Sequence, residues 1–326
     1  MNTTGLISIV VAAYNEAENV AAFHKRVRDC LEAEKAPVEN LFVDDGSTDD
    51  SIARILELRS QDPLVRIIRL SRNFGNQSAF LAGLQASRGA AVITMDCDLQ
   101  HPPSLLPQML AAWRNGAQIV QMVRRQNRGA SFFHRASSRL FHWMLGALTE
   151  VVLPFGAGDF RLLDRKAADL IVQFAVSRPF YRGIPHWLGL PSTIIEYDSD
   201  IRNSGRPSLG LLKRIELSLD AITALSVRPL RLAFFLGICA IAVCLLYALV
   251  TVIAYMMGHS VPGYPTLILA IVFLGAVQLI SIGILGEYLG RVHEQSRGLP
   301  PFVVLDSLED RQKEADLHSA ESGGRL

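Results

Sequence analysis

Apolar and polar positions divide this 326-residue chain at about residue 230. Ahead of that point short β-branched runs, Ile7 to Val11, Leu41 to Val43, Val65 to Leu70 and Ala91 to Met95, alternate with helical stretches such as Glu18 to Glu34 and Ser51 to Ser60. Strands separated by helices predict an α/β domain with a mainly parallel sheet, whose ligands bind beyond the carboxyl ends of the strands. Leu6 to Ala13 is too short, and lacks the flanks, for a signal peptide and reads as the first strand. Past the divide the pattern changes. Leu232 to Met257 is a run of 26 residues without a charge, and Leu267 to Leu285 is a run of 19 broken only by Gln278, Ser281 and glycines. As helices they would extend about 39 and 28 Å, against a hydrocarbon core about 30 Å thick.

These lengths predict two transmembrane helices, about 232–257 and 267–287, inside a segment 230–290. The link Gly258 to Pro265 holds no Lys or Arg, whereas Lys213, Arg214, Arg228 and Arg231 precede the first run and Arg291 and Arg297 follow the second. The positive-inside rule then places the 1–229 domain, the 291–326 tail and both termini in the cytoplasm, at the inner membrane. A helical hairpin buried in a soluble core is the competing reading; the length of the first run counts against it. Pro301 to Leu305 could be a short strand that joins this sheet or a neighbour's, and the tail from Glu309 onward has no apolar periodicity.

Composition adds little until it is divided in the same way. Hydrophobic residues make up 50% and charged residues 19% of the chain, and the apolar excess lies in 230–290. With 32 basic against 31 acidic residues there is no general basic character, and nucleic acid is not an expected partner. Cys30, Cys97, Cys239 and Cys244 have no zinc or disulfide spacing, which suits a reducing compartment.

Candidate chemistry follows the strands. The first ends in Ala13-Tyr14-Asn15-Glu16, the second in Asp44-Asp45-Gly46-Ser47-Thr48-Asp49, and the fourth in Asp96-Cys97-Asp98-Leu99-Gln100-His101-Pro102-Pro103. Carboxylates gathered at one edge repel one another, and a bound divalent cation resolves the conflict. If the fourth strand persists, alternation sends Asp96 and Asp98 to one side with Gln100 next in register, an oxygen set suited to Mg²⁺ or Mn²⁺. The plainer reading of Asp44 to Ser47 is a turn, with Ser47 or Asp49 capping the helix from Ser51. Arg124, Arg125, Arg128, Arg135 and Arg139 lie before and within an aromatic-bearing stretch, about 131–148, that reads as an interfacial helix or as a helix packed on the core. Arg202, Arg206, Lys213 and Arg214 form a second basic group, leading into another expected interfacial helix at about 208–226.

Tyr14-Asn15-Glu16, Asp44 to Ser47, Ser71-Arg72-Asn73-Phe74-Gly75, Asp96 to Pro103 and Gly158-Asp159-Phe160-Arg161-Leu162, in this order and followed by the hairpin, resemble the polyprenyl-phosphate glycosyltransferases of glycosyltransferase family 2. The nearest form is the bactoprenol glucosyltransferase type, akin to dolichol-phosphate mannose synthases. Cys97 replaces a more usual Ala, and Arg206-Pro207-Ser208 replaces a more usual Ser-Lys-Tyr-like segment. The resemblance implies a GT-A nucleotide-binding fold and inverting transfer of a sugar, glucose first among the candidates, from a UDP-sugar to undecaprenyl phosphate. It implies that Ala13, Tyr14, Glu16, Asp44, Asp45 and Asp96 line the donor nucleotide, that Asp96, Asp98 and Gln100 hold Mg²⁺ or Mn²⁺, and that Asp159 and Asp98 are catalytic. Arg128, Arg202 and Arg206 are the expected acceptor-phosphate ligands, because the guanidinium fork binds two oxygens at once. Expected partners are the nucleotide-sugar, polyprenyl phosphate, membrane lipid and further copies of the chain. Three rivals are weighed: a processive polysaccharide synthase, disfavoured because Gln-x-x-Arg-Trp is absent; a non-catalytic nucleotide-sensing membrane scaffold; and a transport component for the lipid-linked sugar.

Overall fold

The structure, a computed structural model, describes residues 5–34, 36–125, 154, 156–175, 181, 183–198, 228–257 and 263–307. Its centre is a mixed, mainly parallel sheet. Strand β1 (Ile7–Ala13) is buried at all seven positions, as a strand covered on both faces requires, and pairs in parallel with β2 (Val38–Asp44) and β4 (Ala91–Asp96). β3 (Val65–Leu70) continues the sheet beyond β2. On the other side β6 (Ala157–Asp164) lies antiparallel between β4 and β5 (Ile119–Arg124), and β7 (Ser192–Tyr197) runs parallel to β5 at the edge. The order is β7-β5-β6-β4-β1-β2-β3-β8, where β8 (Val304–Ser307) pairs antiparallel with β3. The short strand expected at Pro301 to Leu305 lies later, at Val304–Ser307, and it joins the chain's own sheet.

Helices cover both faces. α1 (Val20–Leu31) presents Val20, Phe23, Val27 and Leu31 at helical spacing to one face, where α4 (Leu106–Arg114) adds Met109 and Leu110. α3 (Asn76–Ala86) and α5 (Arg165–Ala175) cover the other, with Phe80, Ala168 and Ile171 in its core. α3 rests directly on the sheet: a Cβ at Gly83 would stand 2.1 Å from Val10 Cγ1, so only glycine fits there. α2 (Ser51–Gln61) flanks β3, and a one-turn helix α6 (Ile184–Trp187) precedes β7.

The end of the sheet away from the acidic edge is held by a buried polar knot. Glu39 on β2 accepts from Ser8 Oγ, from Arg66 Nη1 at 2.8 Å and from the Arg88 backbone N–H at 2.9 Å. Glu39→Ala leaves the largely buried Arg66 charge without this carboxylate, which is expected to cost about 3 kcal/mol. The measurement is the unfolding midpoint of the detergent-solubilised protein, and a midpoint equal to wild type would contradict the assignment.

The sheet and its helices, with the returning β8, form one compact unit; α7 (Arg228–Met256) and α8 (Tyr264–Ser296) pack together as the core of another. Ala233–Ala254 and Ala270–Ser296 have mean hydropathies of 2.7 and 2.0, long and apolar enough to cross a membrane. Their large side chains are not a protein core: Phe234, Leu245 and Leu279 are 66%, 67% and 71% exposed. An aqueous surface does not carry that much contiguous apolar area, so the buried-hairpin reading fails among the described residues.

Candidate active site

Loops at the carboxyl ends of β1 and β2 are stitched together. Asn15, in the left-handed region at φ 56°, donates its backbone N–H to Ser47 Oγ at 3.0 Å and accepts the Thr48 N–H at 2.9 Å through Oδ1. The Glu16 N–H donates to Ser51 Oγ at 2.8 Å, and the Glu16 carboxylate accepts from Asn19 Nδ2 at 2.5 Å. Asp44 is fully buried, its Oδ1 accepting the Ser47 N–H at 3.1 Å in an Asx turn. Asp45 points toward the loop before α3, accepting the Phe74 N–H at 2.7 Å and the Gly75 N–H at 2.9 Å. Burial raises its carboxyl above the usual range; those two N–H bonds oppose the shift, and Asp44 adds to it. Gly46, next after Asp45, has φ 76°, and a Cβ there would meet the Arg72 carbonyl carbon at 2.7 Å. Of the six expected donor-side residues, Ala13 is buried at the end of β1 and Tyr14 is the open one, 46% exposed. Of the two expected caps, Asp49 takes the Ser51 N–H at 3.0 Å, while the Ser47 hydroxyl accepts from Asn15.

The acidic edge is built by a turn. β4 stops at Asp96, so the extended alternation expected for Asp98 and Gln100 does not occur. Leu99 instead takes φ 62°, uncommon for leucine, with its side chain buried in the core. This turn brings the Gln100 N–H to Asp98 Oδ1 at 3.1 Å. Asn76, first residue of α3, donates to Asp96 Oδ1 at 2.8 Å. His101 accepts the Asp96 N–H through Nδ1 at 3.1 Å, which leaves its proton on Nε2, 3.6 Å from Asp96 Oδ2; the ring stacks on Phe160 at 4.8 Å. Burial pushes Asp96 above the usual carboxylate range, and His101 opposes this, Asp159 reinforces it, Asn76 opposes it and Asp98 reinforces it. Asp96 thus sits within reach of two like charges, Asp159 and Asp98.

Asp159 on β6 is buried, and Arg161, wholly buried two residues on, places Nη2 at 3.4 Å from Asp159 Oδ1. The guanidinium lies 5.2 Å from the Tyr181 ring centre, and its Nε and Nη1 have no hydrogen-bond partner among the described residues. Burial, then the Arg161 charge, pushes the His186 imidazole down to about 4, so it stays neutral near pH 7.

Among the described residues no three His, Cys, Asp or Glu side chains come together as a metal site. Asp96, whose carboxyl is held above the usual range by burial and by the nearby Asp159 and Asp98 charges, and Asp98 with Gln100 beyond it, offer oxygens of the kind a hard cation takes together with those of a diphosphate. Three contributors were not assigned roles from sequence. Asn76 lies one residue past the Ser71 to Gly75 motif; His101 lies inside a quoted motif; Arg124, read with the interfacial cluster, stands with Nη1 3.5 Å from Gln100 Oε1. Arg128, Arg202, Arg206 and both expected interfacial helices, 131–148 and 208–226, lie outside the described residues.

Comparison with known proteins gives the family. Residues 8–171 match the family "Glycosyl transferase family 2", and residues 228–292 match "GtrB C-terminal hairpin". The chain is 35% identical to an uncharacterized glycosyltransferase, YkcC, of Bacillus subtilis (95% of this chain, 97% of that one). It is 34% identical to the bactoprenol glucosyl transferase of Shigella phage SfV (91% and 97%). The solved glucosyl-3-phosphoglycerate synthase of Mycobacterium tuberculosis is a more distant likeness, 19% identical over 68% of this chain and 82% of that one, with a TM-score of 0.45. The chain belongs to glycosyl transferase family 2, with a GT-A-like sheet and a C-terminal hairpin of the GtrB type.

Proposed function

We propose that this glycosyltransferase moves a sugar, glucose from UDP-glucose first among the candidates, onto undecaprenyl phosphate at the cytoplasmic face of the inner membrane, with inversion. The observation that carries the reading is the joining in one chain of an acidic edge, Asp96, Asp98 and Asp159, to two helices apolar enough to enter the bilayer that holds the acceptor. The Shigella phage relative, named a bactoprenol glucosyl transferase, supports the acceptor and the sugar. Arg228 and Arg231 at the start of α7, Arg291 and Arg297 near the end of α8, and the return of β8 to the same sheet support a hairpin with both ends on the cytoplasmic side.

Asp96, Asp98 and Gln100 would hold Mg²⁺ or Mn²⁺, which when bound neutralises the departing diphosphate. The acceptor needs little deprotonation, because a phosphate monoester has a second pKa of about 6 and its attacking oxygen is already anionic near pH 7. That oxygen forms the bond to the anomeric carbon as the bond to the nucleoside diphosphate breaks, which inverts the centre. Positioning therefore dominates. Asp159 orients the reacting groups, Arg124 offers a cation beside Gln100 for a phosphate, and Tyr14 offers an aromatic face to the nucleotide base. Purified protein incubated with undecaprenyl phosphate, Mn²⁺ or Mg²⁺ and UDP-glucose, other UDP-hexoses or GDP-mannose should give a hexosyl-lipid by mass spectrometry. No glycolipid with any donor would overturn the reading.

A further inference from the structure

The three residues around Asp159 leave the sheet ladder. Gln121 faces Arg161 and Val123 faces Ala157, so the single residue Met122 of β5 spans against Gly158, Asp159 and Phe160 of β6. On the other side the pairing with β4 ends at Thr94 and Arg161. Bulges of this kind next to active sites re-aim a side chain. Here the carbonyls released from the ladder are taken by side chains. The Thr94 hydroxyl donates to the Asp159 carbonyl; the two Gln121 Nε2 hydrogens are shared among Met122 O at 2.9 Å, Gly158 O at 3.1 Å and Phe160 O at 3.3 Å; Arg161 Nη2 donates to Gly158 O at 2.9 Å. Thr94, Gln121 and Arg161 occupy one row across β4, β5 and β6 and are 0%, 1% and 0% exposed. Three buried polar side chains converging on three consecutive carbonyls are more than the sheet needs to close. Apolar residues in that row would leave the carbonyls unpaired, and the bulge would have no reason to hold its shape.

We propose that Thr94 and Gln121 are positioning residues for transfer: with Arg161 they set the backbone of Gly158 to Phe160 and so aim the Asp159 carboxylate at the reacting groups. This rests on the reading of Asp159 as the catalytic carboxylate. The Thr94 and Gln121 hydrogen bonds end on the backbone of β5 and β6 and none of them reaches Tyr14, Asp45, Asp98 or Gln100, so donor affinity should change little when they are lost.

The test uses full-length protein in detergent with undecaprenyl phosphate and UDP-glucose, and the near-isosteric variants Thr94→Val and Gln121→Met, with Thr94→Ser keeping the hydroxyl. Expected is a fall in kcat of about 10- to 100-fold for Thr94→Val and Gln121→Met, the loss that a misplacement near 1 Å produces. Donor KM and Mn²⁺-dependent UDP affinity should stay within about twofold of wild type, a split that separates aiming from binding. Thr94→Ser should recover most of the rate. Wild-type kcat in both variants while Asp159→Asn is inactive would overturn the positioning roles alone. A fall in kcat matched by donor affinity and by the unfolding midpoint, with no recovery in Thr94→Ser, would mark the row as structural and also overturn them. Wild-type turnover in Asp159→Asn would overturn the reading of Asp159 beneath them.

Discussion

Asp96→Asn and Asp98→Asn should each lower transfer by about 1,000-fold or more, and should remove Mn²⁺-dependent UDP binding in calorimetry. The size follows from what is lost. A metal ion supplies several kcal/mol of stabilisation to charge developing on a leaving diphosphate, and about 4 kcal/mol corresponds to 1,000-fold in rate. The variants are close to isosteric, so folding is spared: an amide oxygen at position 96 can still accept from Asn76 Nδ2, and the backbone N–H that His101 accepts is untouched. The charge is what goes. Without a cation, removing one of several mutually repelling carboxylates would relieve the edge, and the Asn variants would be slightly more stable than wild type with activity intact. That outcome would show that the edge does not work by binding a metal.

Asp159→Asn should fail twice, in turnover and in stability. Arg161 is wholly buried, and Asp159 Oδ1, 3.4 Å away, is the carboxylate paired with it. Neutralising one partner of a buried pair typically costs about 3–5 kcal/mol, because the other charge remains out of water. The double variant Asp159→Asn/Arg161→Met tests whether Asp159 serves only as the counter-ion of Arg161, and restored turnover is its deciding result, because Arg161 also holds the Gly158 carbonyl. It removes both charges and should regain most of the unfolding midpoint, as replacement of buried pairs by apolar groups commonly does. Its turnover should stay low. Turnover restored along with stability would reduce Asp159 to a counter-ion for Arg161 and move the chemistry elsewhere.

Much of the sheet was legible because its central strands are buried on both faces. Ile7 to Val11 and Ala91 to Met95 can be nothing else at that length and β-branched content, and their polar followers lie at one edge by topology alone. The second half of the sheet was not legible. β6 enters antiparallel between β4 and β5, and its key stretch, Gly158 to Phe160, departs from the ladder, which periodicity cannot signal. A signal for β5 did exist. Gln121 is the one polar residue in Ile119-Val120-Gln121-Met122-Val123, and a buried amide in an apolar strand needs a partner. Strand alternation was to send Asp96, Asp98 and Gln100 to one side, but β4 ends at Asp96 and a left-handed turn at Leu99 follows, which a period-2 pattern does not signal. Asp44 and Asp45 read equally well as turn or as ligand, and their hydrogen bonds go to Ser47, Phe74 and Gly75, the backbone of their own and the neighbouring loop.

The pairing of β3 with β8 also orders the chain in time. Ile68 meets Ser307, so the outer edge of β3 finds its partner only after the whole hairpin has left the ribosome. Until then the nascent sheet carries an open edge, the kind of surface that invites pairing with another chain. Closing it requires contact between segments more than 200 residues apart in sequence, which slows the final step. Under the proposed topology, insertion of α7 and α8 into a bilayer would shorten that search by bringing the chain back to the side it left. Sheet completion would then be a late event that follows membrane insertion, and a chain stopped after residue 297 would keep its nucleotide-side residues yet expose β3.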